Sequence, residues 1–248
     1  RKRTNTCDMQ NMWYKIRNEC LREKRMKLVL LRHGESEANF ENYWTGWLDV
    51  ALTEKGKEQA AVAGQKMLEA GLQFDAVYTS VLKRAILTGQ VALEEMGQLW
   101  LPIIKTWRLN ERHYGDLVGK NKDKMKEIYG KDQVKTWRRG YTEVPPLTAE
   151  NIFDRRYDHL DPHLIPYGES LEMTVNRDHF PLWQDHLAPK LKDRQDLLLV
   201  GHGNSIRALT KYLEDVPEDQ MDTIDIPNAQ PIQYTLADDL TILDKKIL

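Results

Sequence analysis

The sequence predicts an α/β domain: a three-layer α/β/α sandwich around a mostly parallel sheet with an antiparallel edge strand. Three observations carry this expectation. Lys27–Leu31 and Asp196–Val200 contain short, unbroken apolar runs of the kind that suit strands buried on both faces. Each run ends abruptly in a polar turn, Arg32-His33-Gly34 and Gly201-His202-Gly203. Between the strand-like runs lie helical patterns with caps and glycine stops, and such alternation builds a helix-covered parallel sheet.

Taken in order, Lys27–Leu31 is the first strand. Thr53 caps a helix running to about Ala70, with Ala60, Gly64, Met67 and Leu68 on one face and Gly71 as its stop. Phe74–Tyr78 is a second strand, and Val81 to about Met96 a second helix ended by Gly97. Pro102–Trp107 reads as a third strand, Asp196–Val200 as a fourth, followed by a helix near Ile206–Leu213. Gln233–Leu236 and Thr241–Ile247 form a closing edge pair. Residues 110–168 break the rhythm with Pro145-Pro146 and clustered Tyr, Trp and Arg. They read as an insertion over the sheet edge, where substrate-selecting segments usually sit.

The 248 residues hold 36 Lys+Arg against 38 Asp+Glu, a net charge of −2. That balance excludes a dedicated nucleic-acid or anionic-membrane binder. The longest aliphatic runs fall far short of the roughly 20 residues that span a bilayer. Residues 1–25 differ from the rest: eight Lys/Arg against three acids, leaving 28 basic and 35 acidic residues in 26–248. They read as a basic extension outside the fold, with residues 26–248 a single catalytic domain and Met26 its natural start. The extension lacks the apolar core of a signal peptide, so a cytoplasmic location is expected. Both cysteines, Cys7 and Cys20, lie in it, so the body carries no disulfide and no thiol chemistry.

In open α/β sheets ligands bind beyond the carboxyl ends of the strands, where both histidine turns lie. A single histidine there is often structural; two, each followed by glycine, point to a site. A neutral imidazole is a competent nucleophile towards phosphorus. The transferring phosphoryl group spreads charge over three oxygens, which fixed guanidinium groups such as Arg32 and Arg84 can clamp in bidentate fashion. The seven histidines show no HExxH and no His-x-His, so a metal site is not expected. Ser36, Ser80 and Ser205 lie outside any GxSxG elbow. Glu111 is the better candidate for proton donor and acceptor.

Arg32-His33-Gly34-Glu35-Ser36, Thr45-Gly46-Trp47, Tyr78 to Ala85 (YTSVLKRA), Leu109 to Gly115 (LNERHYG), Trp137-Arg138-Arg139 and Gly201 to Ser205 (GHGNS) resemble, in order, the cofactor-dependent phosphoglycerate mutases of the histidine phosphatase superfamily. The resemblance runs from about Met26 to the C-terminus and implies the phosphoglycerate mutase-like version of the fold. It implies His33 as nucleophile, and His202 stabilising the charge of transfer. Arg32, Arg84, Asn39, Gly203 and Asn204 would hold the transferring phosphate, and Glu111 would shuttle the proton. Ser36, Thr45, Gly46, Tyr114, Lys122, Arg138 and Arg139 would hold the substrate's carboxylate and second phosphate. It further implies phosphoglycerate substrates, 2,3-bisphosphoglycerate as priming cofactor, neither metal nor nucleotide, and a homodimer or homotetramer. The chain departs from the family pattern at Ala38, where tryptophan is usual, and at Ile226–Pro231, where a Pro-Thr-Gly turn is usual. It ends at Leu248, short of the polar tail of many members, an expectation of easier water access. Three functions are therefore carried forward: mutase, synthase or phosphatase using the same histidine, and a non-catalytic phosphometabolite binder.

Overall fold

The computed structural model describes residues 25–150, 154–176 and 180–248; the basic extension, but for Arg25, lies outside the described residues. A six-stranded sheet has the order β3-β2-β4-β1-β5-β6. Its strands are β1 (Met26–Arg32), β2 (Ala76–Thr79), β3 (Ile103–Lys105), β4 (Leu197–Gly201), β5 (Pro231–Leu236) and β6 (Ile242–Ile247). β1, β4, β2 and β3 pair in parallel. The reversal is at β5, which runs antiparallel to β1 and to β6. The opposite-running strand is thus second from the end, and the edge strand β6 runs with the parallel set.

Alternation along the apolar strands explains the three layers. Leu28, Leu30, Leu197 and Leu199 pack on one face against Trp183, Leu187, Leu191, Ile206 and Leu209. Their neighbours Val29, Leu31, Leu198 and Val200 pack on the other against Ala63, Met67, Ala85, Ala92 and Leu93. Period-two side-chain direction therefore turns an unbroken apolar run into two cores.

On the second of these faces lie α2 (Glu54–Glu69) and α3 (Lys83–Glu95), preceded by the single turn α1 (Glu37–Phe40). Thr53 caps α2 by accepting the Gly56 amide. Gly71 and Gly97 follow the two helices in the left-handed region that suits glycine. α3 begins two residues later than the sequence reading of Val81, because Leu82 is still extended.

Between β3 and β4 the chain forms α4 (Lys122–Tyr129), α5 (Lys131–Arg139), α6 (Leu171–Thr174) and a helical run through a π turn at Trp183–Leu187 into α7 (Ala188–Lys192). Trp44, Tyr114, Leu117, Met125 and Val134 form a small separate core that fixes α4 and α5 to the loop after α1. α8 (Gly203–Glu214) follows β4. No helix among the described residues is long and apolar enough to cross a membrane.

Candidate active site

The parallel register of β1 and β4 sets Arg32 opposite Gly201, so the two polar turns leave the sheet at one height. The His33 amide donates to the Gly201 carbonyl at 3.0 Å. Two imidazoles 169 positions apart in sequence thereby meet, with ring centroids 5.1 Å apart and planes inclined at 58°. His33 is 4 % exposed and His202 fully buried.

The His33 Nδ1 lies 2.7 Å from the Gly34 carbonyl. A carbonyl only accepts, so the ring proton sits on Nδ1 and the Nε2 lone pair is left for an electrophile. Burial, then the charges of Arg84 and Arg32, hold the His33 pKa well below its ordinary value, so the ring stays neutral and nucleophilic at physiological pH. Burial, Arg84 and His33 depress His202 in the same way. The His202 Nε2 is 2.8 Å from the Ser80 hydroxyl at the end of β2. His202 also caps α8, whose N-terminal amides and dipole favour an anion at this point.

Two arginines frame the imidazoles. Arg84 is buried, and its Nη1 and Nη2 donate to the carbonyls of Leu48 and Gly46 at 2.7 and 3.0 Å. Burial lowers its pKa to about 10, which leaves it charged at neutral pH. Arg32 donates from Nη1 to the Ile226 carbonyl at 2.6 Å. The Nε atoms of both arginines are buried with no protein partner. Orphaned buried guanidinium donors mark a place where an anion would complete the bonding.

Above this floor opens a cavity with about 600 Å³ of empty space, part of it continuous with solvent. Its cations are Arg32, Lys122, Arg138, Arg139 and Arg207, set against Glu111 and Asp225. Burial, then repulsion from Arg138 and Arg32, lowers the Lys122 pKa to about 8. Glu111, 8 % exposed, accepts the amides of Arg112 and Asn204 on Oε1, at 2.8 and 3.2 Å. A Cβ added at Gly203 would lie 3.7 Å from the Arg32 guanidinium carbon and 3.8 Å from Glu111 Oε2, so this helix start packs between the two.

Of the residues singled out from sequence, Arg32, Asn39, Thr45, Glu111, Tyr114, Lys122, Arg138, Arg139, Gly203 and Asn204 line this cavity. His33, His202 and Arg84 lie among its buried neighbours. Ser36 and Gly46 do not line it. The Ser36 hydroxyl caps α1 through the Asn39 amide, and the Gly46 carbonyl anchors Arg84. Gly34 serves the loop itself. Its amide donates to the Thr88 hydroxyl, and the close approach that requires a glycine is to the Gly56 carbonyl, not to a ligand. Sequence reasoning missed Tyr43, Trp44, Arg207, Asp225 and Ile226, which also line the cavity. For Arg207 a signal existed: one cation inside the otherwise apolar run Ile206–Leu209.

The family model described as "Histidine phosphatase superfamily (branch 1)" matches residues 28–245. The chain belongs to this superfamily. It is 50 % identical over 227 residues to the 2,3-bisphosphoglycerate-dependent phosphoglycerate mutase 2 of Lactiplantibacillus plantarum, covering 90 % of this chain and 98 % of that one. The corresponding mutase 1 of Lactobacillus johnsonii is 49 % identical over the same coverage. Among solved structures, a mycobacterial glucosyl-3-phosphoglycerate phosphatase in complex with VO3 superimposes with a TM-score of 0.68 at 25 % identity, covering 90 % of this chain and 97 % of that one. Superfamily membership agrees with paired histidines at the carboxyl ends of adjacent parallel strands.

Proposed function

We propose that the protein is a 2,3-bisphosphoglycerate-dependent phosphoglycerate mutase, interconverting 3-phosphoglycerate and 2-phosphoglycerate through phosphorylated His33. The observation that supports this reading is a cavity whose cations continue past the imidazole pair, which we read as two anion stations joined by one carboxylate. The inner station is His33, His202, Arg32 and Arg84; the outer is Lys122, Arg138, Arg139 and Tyr114; Glu111 reaches the helix start between them. A simple phosphomonoesterase needs only the first. The orphaned Nε atoms of Arg32 and Arg84, with Lys122, Arg138 and Arg139 beyond them, fit a bisphosphorylated carboxylic acid.

When bound, 2,3-bisphosphoglycerate supplies the phosphoryl group that primes His33. The neutral Nε2 attacks phosphorus in line as the P–O bond to the carbon skeleton breaks and the released oxygen takes a proton from Glu111, while Arg32, Arg84, His202 and the start of α8 bear the charge that develops on the three oxygens. In the forward transfer the hydroxyl of a monophosphoglycerate attacks the phosphoryl group: its O–P bond forms as the N–P bond to His33 breaks. Glu111 takes the hydroxyl proton. The second phosphoryl group then returns to His33 from the neighbouring carbon, and Glu111 gives the proton back to the oxygen released. The outer cations hold the carboxylate throughout, which keeps the three-carbon unit in place for the return step.

A second reading, net phosphate release by the same histidine, has one observation in its favour: the cavity opens to solvent, and water competes with the substrate hydroxyl. The deciding assay incubates 3-phosphoglycerate with and without 2,3-bisphosphoglycerate. Formation of 2-phosphoglycerate should be stimulated by the primer, exceed phosphate release, and vanish in His33→Ala. Phosphate release as the dominant product would replace the mutase reading with the phosphatase one.

A further inference from the structure

Arg207 lines the cavity but belongs to neither anion station. It sits on α8 three residues beyond Asn204 and is 2 % exposed. Its Nη1 donates to Asn204 Oδ1 at 3.0 Å. Its Nη2 donates to the Arg139 carbonyl at 3.2 Å and to the Met221 carbonyl. One planar guanidinium thus ties α8 to the last residue of α5 and to the turn at Glu218–Thr223.

A guanidinium has donors only, so it decides which end of the Asn204 amide faces it. Oδ1 must turn to Arg207, and the amide nitrogen is directed the other way, where it donates to the Tyr114 hydroxyl oxygen. A phenol that accepts there keeps its single hydrogen for another partner, and Tyr114 lines the cavity. Burial lowers the Arg207 pKa to about 10, so the group remains a cation at neutral pH.

We propose that Arg207 is a positioning residue for the outer anion station: through the Asn204 amide it aims the Tyr114 O–H into the cavity, and through the Arg139 carbonyl it holds the end of α5 that carries Arg138 and Arg139. The inference rests on the mutase reading for the choice of ligand, a small molecule with two anionic groups. Arg207 makes no hydrogen bond to His33, His202, Arg32 or Arg84; of the residues expected to hold the transferring phosphate it touches only Asn204, through Oδ1, which leaves the Asn204 backbone amide at the start of α8 in place.

The test compares wild type with Arg207→Met, Arg207→Lys and Asn204→Asp, each checked for folding by thermal melting. Calorimetry measures affinity for 2,3-bisphosphoglycerate and for inorganic phosphate; steady-state kinetics measure KM and kcat. Loss of buried charge-assisted bonds predicts that Arg207→Met weakens 2,3-bisphosphoglycerate by about ten- to a hundredfold but phosphate by less than about threefold. KM should rise more than kcat falls, and Arg207→Lys should recover part of the loss. Asn204→Asp should weaken the same ligand, because a carboxylate accepts from Tyr114 and turns the phenolic hydrogen out of the cavity. Equal weakening of both ligands in Arg207→Met, or affinity for 2,3-bisphosphoglycerate within about threefold of wild type, would overturn the proposal. Should Arg207→Met fail to fold, wild-type affinity in both other variants overturns it. If wild type binds the ligand without interconverting phosphoglycerates, the mutase reading fails, while the affinity comparison still decides the role of Arg207.

Discussion

Lys122 and the two histidines show how burial sets protonation at this site. With its pKa lowered to about 8, Lys122 is largely charged at neutral pH and loses its proton as pH rises through that value. KM for phosphoglycerate should therefore climb above about pH 8, and Lys122→Arg, whose guanidinium stays protonated, should remove that limb of the KM profile. The histidines act in the opposite range. Folded His33 and His202 resist protonation, whereas the unfolded chain takes up protons below about pH 6.5. The unfolded state binds more protons there, so stability falls as pH falls from that value. The loss reaches about 1.4 kcal/mol per pH unit per histidine while the folded rings stay neutral. Urea unfolding of wild type and His202→Asn at pH 7 and 5.5 checks this: the variant should lose less stability on acidification. The residue types at these positions were legible from sequence, because a histidine after a buried strand is conspicuous. Their shifted protonation was not, because it depends on burial by the folded chain and then on Arg84 arriving from a different strand end.

Among the elements, the loop after β1 is held by backbone contact with α2. A Cβ at Gly34 would fall 2.1 Å from the Gly56 carbonyl oxygen, and one at Gly56 would fall 2.0 Å from the Glu35 carbonyl oxygen. Neither partner is a flexible side chain. Gly34→Ala should cost about 2–3 kcal/mol and displace His33, seen as a lower melting temperature together with reduced kcat. The loop after the Glu218–Thr223 turn closes the other side. The Asn228 side chain donates from Nδ2 to the His33 carbonyl at 2.8 Å, and the Ala229 backbone amide donates to the Arg32 carbonyl at 3.0 Å. Ala229 holds φ at +49°, a conformation that costs a residue with a Cβ. Ala229→Gly should stabilise the protein by about 0.5–1 kcal/mol, read as a rise in Tm of a few degrees, with kcat retained. The departure from the family turn at Ile226–Pro231 was visible in the sequence. That it embraces the His33 turn was not, since nearly 200 residues separate the two segments.

Charge governs the scale of the whole molecule. Residues 26–248 are net acidic, yet the cavity concentrates five cations against two carboxylates. Such a contrast focuses anionic substrate into the site and weakens as salt screens it. Raising ionic strength from about 0.05 to 0.5 M, over which the Debye length falls severalfold, should raise KM for phosphoglycerate severalfold with little change in kcat. A salt-independent KM would contradict the focusing. The sequence by itself determined the α/β architecture, because unbroken apolar strands between capped helices have few ways to bury two faces. It also singled out the candidate histidines, arginines and glutamate, because His33, Arg32 and His202 stand at strand ends and Arg84 and Glu111 in recognisable motifs. Only the tertiary structure decided which of them meet. The β1–β4 register brings the imidazoles to 5.1 Å, Ser36 is engaged by Asn39 and the Gly46 carbonyl by Arg84, and Arg207 joins the site. The reason is physical: strand and helix patterns are set by neighbours along the chain, whereas a site is set by long-range register and by which donors and acceptors are already engaged.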